Sequence, residues 1–227
     1  MNRALMRIVK YALARRNRAL IVTMPNLGRP RHIDVMQSEY TNEYVRLSQL
    51  DLAIHEIKQQ NIAGDVAEVG VYKGDFAAVL NQALPERKLY LFDTFDGFPP
   101  DSELAEIQKR GLSHKRDFTD TSVNFVLNRM THIDRCFIRK GIFPETATGL
   151  EDCRFCFVSL DADLYEPILA GLDFFYDRMA PGGFIFVHDY NNDLYPGCKQ
   201  AVLEFAGARG VTFIPVTDIY GSAIFRR

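Results

Sequence analysis

Two rhythms of apolar and polar residues organise this chain. From Gly64 onward, short apolar runs at "VAEVG", "KLYLFD", "RCFIRK", "FCFVSLD" and "GGFIFVHD" are separated by stretches with helical spacing. Continuous apolar runs of this length suit strands buried on both faces, and their alternation with helices predicts a mostly parallel sheet covered on both sides. The end of the chain breaks that rhythm. "VTFIPV" and "SAIFRR" are separated by only "TDIYG", too short for a helical crossover, so the last two strands form an antiparallel hairpin. Upstream, "TNEYVRLSQLDLAIHEIKQQN" carries a helical pattern that Gly64 ends, and "TMPNLGRPRH", with two prolines and a glycine, reads as a linker. The first segment has apolar Leu5, Ile8, Val9, Ala12 and Leu13 with Arg3, Arg7, Lys10 and Arg15 between them, the pattern of a basic amphipathic helix. It packs on the domain or on a second subunit, or, in a sharper reading, touches anionic lipid. The expected fold is α/β, with seven strands (five parallel plus a C-terminal antiparallel hairpin) and helices on both faces. Residues 1–63 form a helical extension packed on a core of residues 64–227, a single globular unit overall.

Composition narrows the functional classes. A chain of 227 residues, 47% hydrophobic and 25% charged, buries one good α/β core. The net charge of -2 gives no general attraction to nucleic acid, although every side chain before Asp34 that is charged near neutrality is basic, histidine included. Cys136, Cys153, Cys156 and Cys198 stand in a chain with no signal-peptide region and no apolar run long enough to span a bilayer, which predicts free thiols and a cytoplasmic location. The Cys153/Cys156 pair lacks the second pair that a zinc site would need.

Seven strands, five feeding helices and two closing as a hairpin, is the arrangement of class I S-adenosylmethionine-dependent methyltransferases. A nicotinamide-binding domain would continue in βαβ units instead. In an open parallel sheet the ligand sits at the carboxyl ends of the strands, where strand order reverses, and the loop after the first strand lies against it. Here that loop is "VAEVGVYKG", where Gly70 and Gly74 allow close approach and Asp75 opens the following helix. Glu68 would repel a pyrophosphate and suits a ligand with an ammonium group, as in the methionine part of S-adenosylmethionine. Asp93 ends the second apolar run, 25 residues beyond Glu68, where a carboxylate accepts hydrogen bonds from ribose hydroxyls. Asp161 and Asp163 end one central run, and His188 and Asp189 end the next. Carboxylates converging from neighbouring strands make a divalent cation plausible, with Mg²⁺ favoured by oxygen ligands; Asp163 is equally suited to capping the next helix.

"DVAEVGVYKGD", "LFDTFDGFP", "DFTDTSV", "KGIFPET", "VSLDADLYEP", "MAPGGFIFVHDY" and "PGCKQAVLEF" occur in the order found in the macrocin O-methyltransferase (TylF/MycF-type) family, which the chain resembles from about Tyr40 to its end. The resemblance implies an S-adenosylmethionine-dependent, Mg²⁺-dependent O-methyltransferase acting on sugar hydroxyls of natural products or glycans. It implies that Glu68, Gly70, Tyr72 and Gly74 line the methionine end of the cofactor, that Asp93 holds the ribose, and that Phe95 lies along the adenosine. Asp120, Thr121 and Ser122 would close the adenine side, and Asp161 and Asp189 would hold the metal.

One departure bears on mechanism: well-studied members have two adjacent aspartates where this chain has His188-Asp189. Imidazole suits Zn²⁺, Fe²⁺ or Mn²⁺ better than Mg²⁺, so His188 is a metal ligand, a general base or a residue behind the ligands. His114, in the polar stretch "RGLSHKRDF", is a second base candidate on an expected acceptor-facing lid. A metal-independent methyltransferase with His188 as base, a nicotinamide oxidoreductase and a non-catalytic binding module are the alternatives. The extra N-terminal helices suggest a homo-oligomer.

Overall fold

The computed structural model describes residues 9, 11–13, 28–35, 43–99 and 118–227. His114, most of the expected lid and most of the basic N-terminal segment lie outside the described residues. Two compact units divide at residue 31, Met1–Arg31 and His32–Arg227. The helix here named α1 (Tyr44–Gln59) lies in the second unit. Among the described residues no helix is long and apolar enough to cross a membrane.

The second unit alternates as expected. After α1 come β1 (Asp65–Val69), α2 (Asp75–Ala83), β2 (Leu89–Asp93), α3 (Val123–Leu127), β3 (Cys136–Lys140) and β4 (Phe155–Leu160). They are followed by α4 (Tyr165–Tyr176), β5 (Met179–Val187), α5 (Pro196–Arg209), β6 (Ile214–Val216) and β7 (Ser222–Arg226). The strands form one sheet in the order β3-β2-β1-β4-β5-β7-β6. The first five are mutually parallel, and β7 runs antiparallel to both β5 and β6. Strand order reverses between β1 and β4, the position where open sheets of this kind leave a crevice for a ligand.

The parallel strands end level with one another. Gly70 donates its N–H to Phe92 O at 2.9 Å, Asp161 to Val69 O at 2.8 Å and His188 to Leu160 O at 2.9 Å. Asp93, Gly70, Asp161 and His188 thus leave the sheet as one row.

Side chains alternate across a strand. Ala67, Val69, Val158 and Leu160 enter the large apolar cluster that contains residues of α4 and α5, with Phe92, Phe155 and Phe175 at its centre. Glu68 and Ser159, paired in register, take the opposite face, where α1 buries Leu47, Leu50, Ile54 and Ile57. Arg46 shares that buried face of α1 and is only 5% exposed. At its other edge α1 buries Asp51, whose Oδ1 accepts the backbone N–H groups of His32 at 2.6 Å and Ile33 at 3.1 Å.

Two glycines act differently from the expectation. α1 ends at Gln59, and Asn61 takes the left-handed turn with φ 50°; Gly64 instead stands just before β1, where a Cβ would lie 2.8 Å from Arg154 O and from Phe155 C. Gly70 has φ +85°, and a Cβ there would lie 2.1 Å from Asp161 O and 2.5 Å from Asp161 C. The bare backbone makes room for the end of β4 before it makes room for any ligand. Gly70→Ala is expected to cost about 2–6 kcal/mol, from left-handed strain and backbone overpacking together. A denaturant melt checks it, and a variant as stable as wild type would show that the β1 and β4 ends can separate freely.

Candidate active site

The strand period that sends Glu68 and Ser159 toward α1 also sends Asp161 and His188 there, since each follows its strand in phase with those residues. Arg46 reaches this row from α1. Its guanidinium lies over the Phe76 ring at 4.1 Å and donates to Asp161 Oδ2 at 2.9 Å and Ser159 Oγ at 3.4 Å. Nothing in the sequence reading had singled out Arg46. The available signal was a charged residue in phase with the apolar positions Leu50, Ala53 and Ile57 of an amphipathic helix.

His188 Nδ1 lies 2.9 Å from Asp161 Oδ1 and 3.1 Å from Asp189 Oδ2. Burial and the Arg46 guanidinium oppose a charge on the imidazole, but the Asp161 and Asp189 carboxylates overcome both and push its pKa up to about 10. For Asp161, burial works against ionisation, yet His188 and Arg46 hold the carboxyl well below its ordinary range. The structure brings Asp161, His188 and Asp189 together with ligand atoms within 4.8 Å of one another. Each carboxylate oxygen of this trio already has a protein donor. Asp161 Oδ1 faces His188 and Oδ2 faces Arg46, while Asp189 Oδ2 faces His188 and Oδ1 accepts from Asn192 Nδ2 at 2.7 Å.

Asp163 does not cap α4. The N-cap position is Leu164, without a side-chain cap, and Asp163 sits at φ 62° sharing a hydrogen bond with Asp189. Burial and the Asp189 charge push its carboxyl well up.

The residues expected on the cofactor side also lie together. Glu68 is 1% exposed, its Oε2 has no hydrogen-bond partner, and burial followed by the charge of Asp161 raises its pKa well above the ordinary carboxylate value. Asp93 holds the loop in shape: Oδ2 accepts the backbone N–H of Val71 at 2.7 Å and Tyr72 at 2.8 Å, and Oδ1 that of Phe95 at 2.6 Å. A carboxylate has about four acceptor positions, so room for a ribose hydroxyl remains on Oδ1. Phe95 is buried with φ 54°.

Across the loop, Asp120 accepts from Tyr72 Oη and from Lys73 Nζ, both at 2.5 Å, and Thr121 Oγ1 donates to Tyr72 O. Ser122 is the N-cap of α3, its Oγ accepting from Phe125 N at 3.1 Å. Asp75 is paired with Arg129, and a Cβ on Gly74 would lie 2.8 Å from Val126 Cγ1. Asp75 and Gly74 thus hold α2 against α3, and Tyr72, Lys73, Asp120 and Thr121 form a polar wall beside the Gly70 loop. Cys136, Cys153, Cys156 and Cys198 form no disulfide.

The protein-family model described as macrocin O-methyltransferase (TylF) matches residues 10–227. The chain is 27% identical over 194 residues to the 8-demethyl-8-(2,3-dimethoxy-α-L-rhamnosyl)-tetracenomycin-C 4'-O-methyltransferase of Streptomyces olivaceus, covering 80% of this chain and 72% of that protein. It is 27% identical over 180 residues to the mycinamicin III 3''-O-methyltransferase of Micromonospora griseorubida, covering 74% and 70%. Among solved structures, the O-methyltransferase NovP superposes with a TM-score of 0.69 at 22% identity over 81% of this chain and 80% of that one, a likeness of fold. A family match over nearly the whole length carries the conclusion: the chain belongs to the macrocin O-methyltransferase (TylF) family and is an S-adenosylmethionine-dependent O-methyltransferase.

Proposed function

We propose that this enzyme methylates a hydroxyl of a sugar carried by a glycosylated natural product or a glycan. The observation that supports this most is the row of strand ends, which sets Glu68 and Asp93 beside Asp161 and His188 at the crevice between β1 and β4. Both curated relatives described above are named for methylation at a numbered sugar position.

In this reading Glu68 receives the cofactor's ammonium group and Asp93 a ribose hydroxyl. Tyr72, Phe95, Asp120, Thr121 and Ser122 border the adenosine. Methyl transfer forms a bond between the acceptor oxygen and the methyl carbon while the carbon–sulfur bond breaks, and the hydroxyl proton is lost. The chain's own work is to hold oxygen, carbon and sulfur in line and to provide polar groups where that proton leaves.

A divalent cation fits the groups around His188, where carboxylate oxygens and an imidazole are buried together and some have no protein partner. One imidazole among carboxylates suits Mn²⁺, Zn²⁺ or Fe²⁺ at least as well as Mg²⁺. When bound, the cation would lower the pKa of a coordinated hydroxyl and orient it. A second reading, without metal, has Asp161 orient His188 through Nδ1; with its pKa pushed up to about 10, His188 accepts the hydroxyl proton only after losing the one on Nε2, so this route is expected to quicken toward alkaline pH.

Both readings are tested by incubating the EDTA-stripped protein with S-adenosylmethionine and paired acceptors, each as glycoside and as aglycone, followed by mass spectrometry. Methylation confined to the sugar is the expected result. Methylation of the aglycones alone overturns the sugar assignment, and undiminished turnover after metal removal selects the metal-free route.

A further inference from the structure

His188 has two ring nitrogens, and the Asp161 and Asp189 carboxylates account for only one. Nδ1 stands within hydrogen-bond distance of both, so it carries a proton that points at them. Nε2 is buried and has no hydrogen-bond partner. The side chain is 8% exposed, and the nearest carboxylate oxygen on that side, Glu43 Oε2, is 3.9 Å away.

Two further atoms are orphaned in the same place. Glu43 Oε2, at the N-cap of α1, is buried without a partner, and so is Asp218 Oδ1, in the turn between β6 and β7. The other oxygen of Asp218 is used locally, accepting from Ser222 Oγ at 2.5 Å. That bond and the pairing of Tyr190 and Asn191 with Gly221 and Tyr220 fix the hairpin turn against the end of β5. Glu43, His188 and Asp218 present ligand atoms within 4.8 Å of one another, from three separate elements. Three polar atoms buried in one place without partners are costly unless something occupies the space between them.

We propose that Glu43, Asp218 and His188, the last through Nε2, form a divalent-cation site, with Asp161 and Asp189 orienting the imidazole through Nδ1–H. A histidine that binds a metal commonly donates its other N–H to a carboxylate in this way. Ligand atoms about 2.1 Å from a shared cation stand about 3.0 Å apart when adjacent and about 4.2 Å apart when opposed, so small adjustments close the site. A proton on Nε2 would face both carboxylates and reach neither, whereas a central cation replaces it and satisfies three groups at once. The Asp161, His188 and Asp189 trio has no comparable opening, because its oxygens are already partnered. The donor set of two carboxylates and an imidazole suits Mn²⁺, Zn²⁺ or Fe²⁺ at least as well as Mg²⁺. The inference does not depend on which acceptor the enzyme uses.

The test is calorimetric titration of the EDTA-stripped full chain with MnCl₂, for wild type, Glu43→Gln and Asp218→Asn, with S-adenosylmethionine titrated into the same samples. Wild type is expected to bind one Mn²⁺, and each variant to bind it at least about tenfold more weakly, since even partners that only orient a ligand cost about 10–100-fold. Nitrogen-15 NMR of the histidines with ZnCl₂ is expected to move the Nε2 resonance of His188 and to leave Nδ1 protonated. Wild type that binds S-adenosylmethionine but neither metal overturns the site while leaving the methyltransferase intact. Unchanged Mn²⁺ affinity in both variants, or coordination through Nδ1, also overturns it. If either variant fails to fold, the wild-type NMR result decides.

Discussion

Arg46→Met is expected to destabilise the fold by about 3–5 kcal/mol, the usual cost of removing one partner from a buried ion pair. For a domain of this size, about 2–4 °C of melting temperature goes with each kcal/mol, so a drop on the order of 10 °C is expected. Arg46 is 5% exposed, and its guanidinium touches Asp161 at 2.9 Å while Glu68 and Glu43 add to the negative field around it. Methionine fills the space over Phe76 but leaves Asp161 facing only His188. The double variant Arg46→Met/Asp161→Asn is expected to recover part of the loss, because the stranded charge is gone. Denaturant melts of the two single variants and the double variant give the coupling. A single variant within about 1 kcal/mol of wild type would mean that water reaches Asp161 and takes over the role of Arg46.

Arg46 also marks where sequence reading stopped. The sheet was legible because each strand is a local apolar run, and the final hairpin because "TDIYG" is too short for a crossover. Glu68, Asp93, Asp161 and His188 were legible because residues at the carboxyl ends of parallel strands are brought level by the sheet itself. Arg46 and Glu43 meet that row across more than a hundred residues of chain, from a helix whose pattern promised only packing. Asp218 was hidden for a similar reason, since a short hairpin loop gives no sign of which strand end it will lean on. At Gly70 and Gly74, expected to give a ligand room, the atoms that exclude a Cβ belong to the protein. Asp93 likewise spends its carboxylate first on shaping the loop.

Glu68→Gln is expected to make the protein more stable and the cofactor site weaker. Burial and the nearby charge of Asp161 raise the Glu68 carboxyl well above its ordinary pKa, and Oε2 has no partner. A carboxyl raised in the folded state costs nothing while protonated in both states, below the unfolded value of about 4.3. Stability is then lost as pH climbs from there to the folded pKa. Glutamine lacks that loss, so the two proteins should melt alike near pH 4, with the variant increasingly the more stable toward neutrality. The cofactor's ammonium group would reverse the balance, because a cation beside Glu68 favours the carboxylate. Binding to wild type should therefore release a proton, visible as a dependence of the calorimetric heat on the buffer's ionisation enthalpy, and binding to Glu68→Gln should not. Loss of a charge-assisted hydrogen bond is worth about 1.5–3 kcal/mol, so S-adenosylmethionine should bind the variant about 10- to 150-fold more weakly. A variant that is more stable yet binds the cofactor as tightly as wild type would place the ammonium elsewhere. A variant less stable at neutral pH would mean that Arg46 compensates the buried carboxylate in full, and that Glu68 is there to hold α1 rather than the cofactor.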